Sequence, residues 1–145
     1  MLTHEWENVK LSANGQFTVP ADARRSLGDS FYITLSLSAD ECLVCRSAED
    51  LERDVRRLEK RKINPRVLTR NAKLVSCDPQ GRVTIPAAMR EARRLGAAIS
   101  IVGTGSSIEL WNPEALARHD GDETSYEALA RIGETLRDIA LGELD

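Results

Sequence analysis

Short runs of alternating apolar and polar residues punctuate this chain. Tyr32–Leu37 sets Ile33, Leu35 and Leu37 on one face and Thr34 and Ser36 on the other, the period of a half-buried strand. Arg82–Ile85 alternates likewise, with Val83 and Ile85 inward and Arg82 and Thr84 outward. Further strands are expected at Gln16–Val19, Cys42–Cys45, Lys73–Cys77, Ala98–Val102 and Ile108–Trp111, with turns at Asp40-Glu41 and Gly103–Ser107. Residues 1–10 read as an arm with Trp6 on a strand. A helical period takes over at Ala48–Lys62, where Leu51, Val55 and Leu58 recur at i, i+4 and i+7. Asn64-Pro65 breaks that helix, and residues 66–72 form a short helical connector. Asn112-Pro113 opens a helix to about His119, Asp120-Gly121-Asp122 reads as a loop, and Glu123–Leu141 forms a last helix with Leu129, Ile132, Leu136 and Ile139 along one side.

The pattern repeats. Shifted by 66 residues, Leu11–Arg25 lies over Cys77–Glu91 with five of 15 positions identical: Gly15/Gly81, Thr18/Thr84, Pro20/Pro86, Ala21/Ala87 and Arg24/Arg90. Phe17/Val83 and Val19/Ile85 keep the inward face apolar. Pro20 and Pro86 end a strand and suit the first turn of a helix, where the missing N–H costs nothing. A Leu-Gly pair, Leu27-Gly28 or Leu95-Gly96, caps each helix, with two extra residues in the second copy. Each half therefore reads β–turn–β–α–β–β followed by a helix. One copy alone leaves open strand edges, so the expected fold is α+β: two units interlocked about a pseudo-two-fold axis into a small, double-psi-like β-barrel with flanking helices. The expected divisions are a first repeat with its helix at 1–65, a second repeat at 66–119 and an acidic helical tail at 120–145.

The turn ahead of each outward-facing pair carries the candidate chemistry. In Asp78-Pro79-Gln80-Gly81-Arg82, Asp78 can accept backbone N–H bonds, Pro79 fixes a negative φ, and Gly81 can take the positive φ that closes the turn. Arg82 is thereby held beside a rigid bend with its side chain outward. The first copy holds Ser12 and Gln16 where the second holds Asp78 and Arg82.

Charge qualifies this picture. The net charge of −3 is unevenly spread: residues 1–112 carry 17 Lys+Arg and 14 Asp+Glu, while residues 113–145 carry 3 and 9. The repeated body is thus at +3 and the tail at −6, a split compatible with nucleic-acid binding by the body. No run of 18 apolar residues and no signal-peptide core is present, so a cytoplasmic protein without a membrane partner is expected. The three cysteines mark no disulfide scaffold. Cys42 and Cys45 have zinc-like spacing, but i and i+3 on a strand face opposite ways and no second pair completes four ligands. No nucleophile triad, paired carboxylates or phosphate loop appears, so neither an enzyme nor a cofactor is expected. Gly103-Thr104-Gly105-Ser106 reads as a hairpin turn, and His4 and His119 stand alone in the sequence.

Asp78-Pro79-Gln80-Gly81-Arg82-Val83-Thr84-Ile85-Pro86, followed by Arg90-Glu91, resembles the MraZ family of bacterial transcription factors, of the AbrB-like swapped-hairpin class. The likeness extends from about Leu2 to His119 and includes Ile108-Glu109-Leu110-Trp111-Asn112. The family has an Asp-x-x-x-Arg motif in each half; here only the second half keeps it. The resemblance implies a cytoplasmic, nucleoid-associated repressor that binds double-stranded DNA as a ring of about eight or more subunits. It also implies tandem short target repeats upstream of cell-division and cell-wall genes. Arg82 carries over as the direct DNA contact and Asp78 as the residue that shapes its turn. Gly81, Thr84 and Gln16 would assist.

Blander roles stand beside these. Arg82 could be a surface arginine paired with Asp78 or Glu91. Arg24 and Arg90, just behind the turns, could support them or contact phosphates. Arg93 and Arg94 read as solvated helix residues. The basic run Arg53–Lys62 is interleaved with Glu52, Asp54 and Glu59 and reads as a solvated or subunit-contact face with i, i+4 pairs. The alternative function is an AbrB- or MazE-like antitoxin, dimeric on DNA and holding a toxin with its tail; a small-barrel enzyme has no candidate site.

Overall fold

The β–β–α–β–β order predicted for each half is the order of the elements in the computed structural model, which describes residues 4–36, 41–104, 107–123 and 126–142. The first half contributes β1 (His4–Lys10), β2 (Gln16–Thr18), α1 (Ala21–Leu27), β3 (Ser30–Leu35) and β4 (Cys42–Arg46). Helices α2 (Ala48–Lys60) and α3 (Arg66–Arg70) follow. The second half contributes β5 (Ala72–Ser76), β6 (Arg82–Thr84), α4 (Ala87–Ala92), β7 (Ala98–Thr104) and β8 (Ser107–Trp111). These elements lie in one compact unit, Met1–Pro113; a second unit, Glu114–Asp145, holds most of α5 (Pro113–Glu123) and all of α6 (Tyr126–Ala140).

Neither half completes its own sheet. Six strands run antiparallel in the order β1-β7-β8-β4-β3-β5. Replacing each strand by its counterpart in the other half reverses that order, which is the topology of a pseudo-two-fold axis. Strand β1 of the first half pairs with β7 of the second, and β5 of the second pairs with β3 of the first. Among the described residues, strands β2 and β6 pair only with each other. The hydrogen bonds among the described residues therefore make an open sheet and a separate ribbon, not the closed barrel expected from sequence.

The core lies where the inward faces of both halves meet. Phe17, Val83 and Ile85 pack with Phe31, Ile33, Leu43, Ile99, Ile101, Ile108 and Leu110, all nearly or fully buried. Burial of side chains this size is worth roughly 1.5–3 kcal/mol each relative to exposure. Cys42 and Cys45 are both buried. Burial first, then the nearby Cys77 and Cys42, pushes the Cys45 thiol far above its ordinary range. It stays protonated.

Several local expectations need correction. Helix α5 runs through Asp120-Gly121-Asp122, since one glycine within a helix costs only about 1 kcal/mol. Gly103 and Thr104 belong to β7, while Gly105 and Ser106, like Leu37 and Asp40, lie outside the described residues. Gly28 has the expected positive φ of 83° and donates to Arg24 O. In the second half that conformation falls to Arg94 (φ 54°), not Gly96, because the Leu95 N–H turns back to the Arg90 carbonyl. Arg93 is no solvated residue: its Nε donates to the Cys42 carbonyl at 3.0 Å, tying α4 to β4. On α2 the ion pairs Arg53–Asp50 and Arg57–Asp54 are spaced i, i+3. No helix among the described residues is long and apolar enough to cross a membrane.

Candidate nucleic-acid interface

The β2–β6 ribbon brings the two repeated turns together. Gln16 lies opposite Thr84, Phe17 opposite Val83, and Thr18 opposite Arg82. Phe17 and Val83 are buried, so alternation sends Gln16, Thr18, Arg82 and Thr84 to the other face. Thr18, Arg82 and Thr84 are exposed and Gln16 half-buried. The sequence predicted these directions for each strand. It did not predict that strands 66 residues apart would pair, placing one cation and three neutral hydrogen-bonding side chains on a single surface. Thr18 is the residue that reasoning missed; its identity with Thr84 was the signal.

Both turns are built by the same hydrogen bonds. In the second, Asp78 N donates to Arg82 O and Gly81 N to Asp78 O, each at 2.9 Å. In the first, Ser12 N donates to Gln16 O and Gly15 N to Ser12 O, also at 2.9 Å. The Asp78 carboxylate accepts from Arg82 N at 2.8 Å and Gln80 N at 2.9 Å; the Ser12 hydroxyl accepts from Gln16 N at 3.0 Å. Gly15 and Gly81 both have φ of 82°. The turns then cross-brace, Val19 N donating to Gly81 O and Ile85 N to Gly15 O.

The arginines behind the turns take part in this bracing. Arg90 Nε donates to Ile85 O at 3.0 Å, and its guanidinium occupies the place where a Cβ at Gly15 would stand. Arg24, whose Nε donates to Asp29 at 3.3 Å, lies against Gly81 with a terminal nitrogen 3.0 Å from the corresponding Cβ position. An arginine from each helix thus lies against the other half's turn. Both glycines have a left-handed φ that side chains rarely adopt, and at Gly15 a Cβ would also displace the Arg90 guanidinium.

Arg82 is paired but outward. Its Nε donates to Asp78 Oδ2 at 2.7 Å, and about half of the side chain (49%) remains exposed. The Arg82 backbone N–H, then its guanidinium and the Gln80 N–H, hold the Asp78 carboxyl below the ordinary aspartate range. Asp78 is therefore charged at neutral pH, fixing both turn and guanidinium. A planar cation held this way can donate in parallel to a phosphate or to a guanine edge. Among the described residues no cluster of His, Cys, Asp and Glu is arranged to hold a metal ion.

Comparisons with known proteins place the sequence. The family model described as "MraZ protein, putative antitoxin-like" matches residues 68–118, which include the Asp78–Arg82 turn. The "Transcriptional regulator MraZ" of Thermoanaerobacter pseudethanolicus is 32% identical over 90% of this chain and 94% of its own. Its namesake from Caldicellulosiruptor saccharolyticus is also 32% identical, over 94% of this chain and 99% of its own. That of Halothermothrix orenii is 32% identical over 87% and 92%. With such identity along nearly the whole chain, and the motif turn intact, the chain belongs to the MraZ family of transcriptional regulators.

Proposed function

We propose that the chain is a non-enzymatic, sequence-specific DNA-binding repressor. It works as a ring-shaped homo-oligomer of about eight copies on tandem short repeats. Those repeats lie upstream of cell-division and cell-wall genes, as the family resemblance implies, and the protein acts in the cytoplasm at the nucleoid. The exchanged strands support a swapped-hairpin scaffold, with 1–65 and 66–119 as paired repeats and 120–145 as an acidic tail. The observation that carries the reading is the β2–β6 ribbon, which displays Arg82 outward between Gln16, Thr18 and Thr84 on a cross-braced base.

Arg82 is the direct contact, oriented by Asp78 and by the bend at Gly81. Thr84 and Gln16 supply neutral hydrogen bonds, while Arg24 and Arg90 act mainly as braces. One subunit offers few cations, and affinity falls steeply with salt for each phosphate neutralised, so avidity from several subunits is needed. A bidentate arginine on guanine contributes about 1–3 kcal/mol of discrimination. Arg82→Ala is therefore expected to weaken specific binding about 5- to 150-fold for each subunit engaged, read in gel-shift titrations at several salt concentrations, with native mass unchanged. Equal titrations for the two proteins would remove Arg82 from the site.

The antitoxin reading draws on the wording of the family description and on the −6 tail. Native mass separates the two: a dimer favours the antitoxin, a large ring the repressor.

A further inference from the structure

Two apolar surfaces have no cover within their own units. On α6, Leu129, Ile132, Leu136 and Ile139 recur at i, i+3, i+7 and i+10 and are each at least half exposed. In the body, an open groove of about 580 Å³ is lined chiefly by Leu35, Leu58, Ile63, Val67 and Leu68. Val67 is 75% exposed and Ile63 50%. Thr34 also lines this groove, and its hydroxyl is the one buried side-chain oxygen among the described residues without a hydrogen-bond partner. Buried polar atoms are seldom left so.

Charge selects the pairing. Residues 48–73, from the start of α2 into β5, hold nine Lys and Arg against five Asp and Glu, while residues 113–145 total −6. Side-by-side α6 helices would be poorly specified. The stripe spans only two heptads, short of the three or four a coiled coil sustains, and its flanking positions Gly133, Thr135 and Ala140 lack pairing charges. An amphipathic helix laid apolar face down in an apolar groove is a familiar recognition mode.

We propose that α6 of one copy docks, apolar stripe inward, in the groove between α2 and α3 of a second copy. Helix and groove are different surfaces, so every copy gives one and receives one; such a head-to-tail contact closes a ring when its rotation closes. This rests on the ring reading above and names its interface. It also gives the acidic tail and the basic α2–α3 segment a common purpose.

The test uses full-length chains and native mass. Leu136→Glu alters only the helix and Val67→Glu only the groove, both at exposed positions that should not disturb folding. Each variant alone should fall from the multi-copy mass to that of one chain. An equimolar mixture retains one intact helix–groove pair per two chains and should give a two-copy species. Either variant keeping wild-type mass overturns the docking, as helix–helix pairing or docking within one chain would produce. So does a mixture that stays single-copy. Wild-type mass with weakened DNA binding in Val67→Glu would make the basic face a DNA contact instead. A wild-type protein that is itself monomeric sinks the ring reading too; a large wild type with unresponsive variants sinks only this interface.

Discussion

The two repeated turns have one backbone and two chemistries. At Asp78–Arg82 a carboxylate accepts the turn's N–H groups and an arginine projects beside it; at Ser12–Gln16 a hydroxyl accepts and a glutamine projects. Ring-closing distances, the glycine φ values and the cross-braces match almost term for term. The turn thus needs an oxygen acceptor at its first position and glycine at its fourth. Charge is a separable addition, and only the second copy carries it.

The strongest way to break this equivalence is through the glycines. Gly15→Ala combines left-handed strain with displacement of the Arg90 guanidinium and should destabilise by about 2–4 kcal/mol. Gly81→Ala meets one arginine nitrogen at 3.0 Å and should cost about 1–2 kcal/mol from backbone strain. Thermal unfolding should rank Gly15→Ala lower, and the reverse order would mean that the Arg90 brace yields easily.

Charge can be restored to the first copy. The double change Ser12→Asp with Gln16→Arg should keep the fold and tighten nonspecific DNA binding by about tenfold at low salt. The salt slope should steepen by roughly one contact per subunit. An unchanged slope would show that only the second turn touches DNA.

Acid distinguishes the turns more gently. The folded state depresses the Asp78 pKa, so its contribution is complete above the ordinary aspartate pKa of about 4 and fades as pH falls through the lower folded value. Unfolding midpoints of wild type and Asp78→Asn should differ at pH 7 and converge towards pH 2. A constant difference would assign the loss to something other than the charge.

The inward and outward directions of Phe17, Val83, Arg82 and Thr84 were legible because alternation, proline and glycine act over a few residues. The duplication was legible for the same reason, as were α2 and the stripe on α6. Arg24 and Arg90 could not be assigned: whether an arginine behind a turn braces or binds depends on which turn lies in front of it, and each faces the turn of the opposite half. Arg93 was misjudged because a carbonyl 51 residues away, on Cys42, receives its donor.

The chain's own order of residues thus determined two stiff bends, their short strands and the lone guanidinium at position 82, all set by local steric and hydrogen-bonding rules. Only the tertiary structure decided that β2 meets β6, that an arginine from each helix lies against the other half's bend, and that the sheet does not close among the described residues. Those outcomes depend on burying two apolar faces against each other, a balance among distant strands that no local spacing encodes.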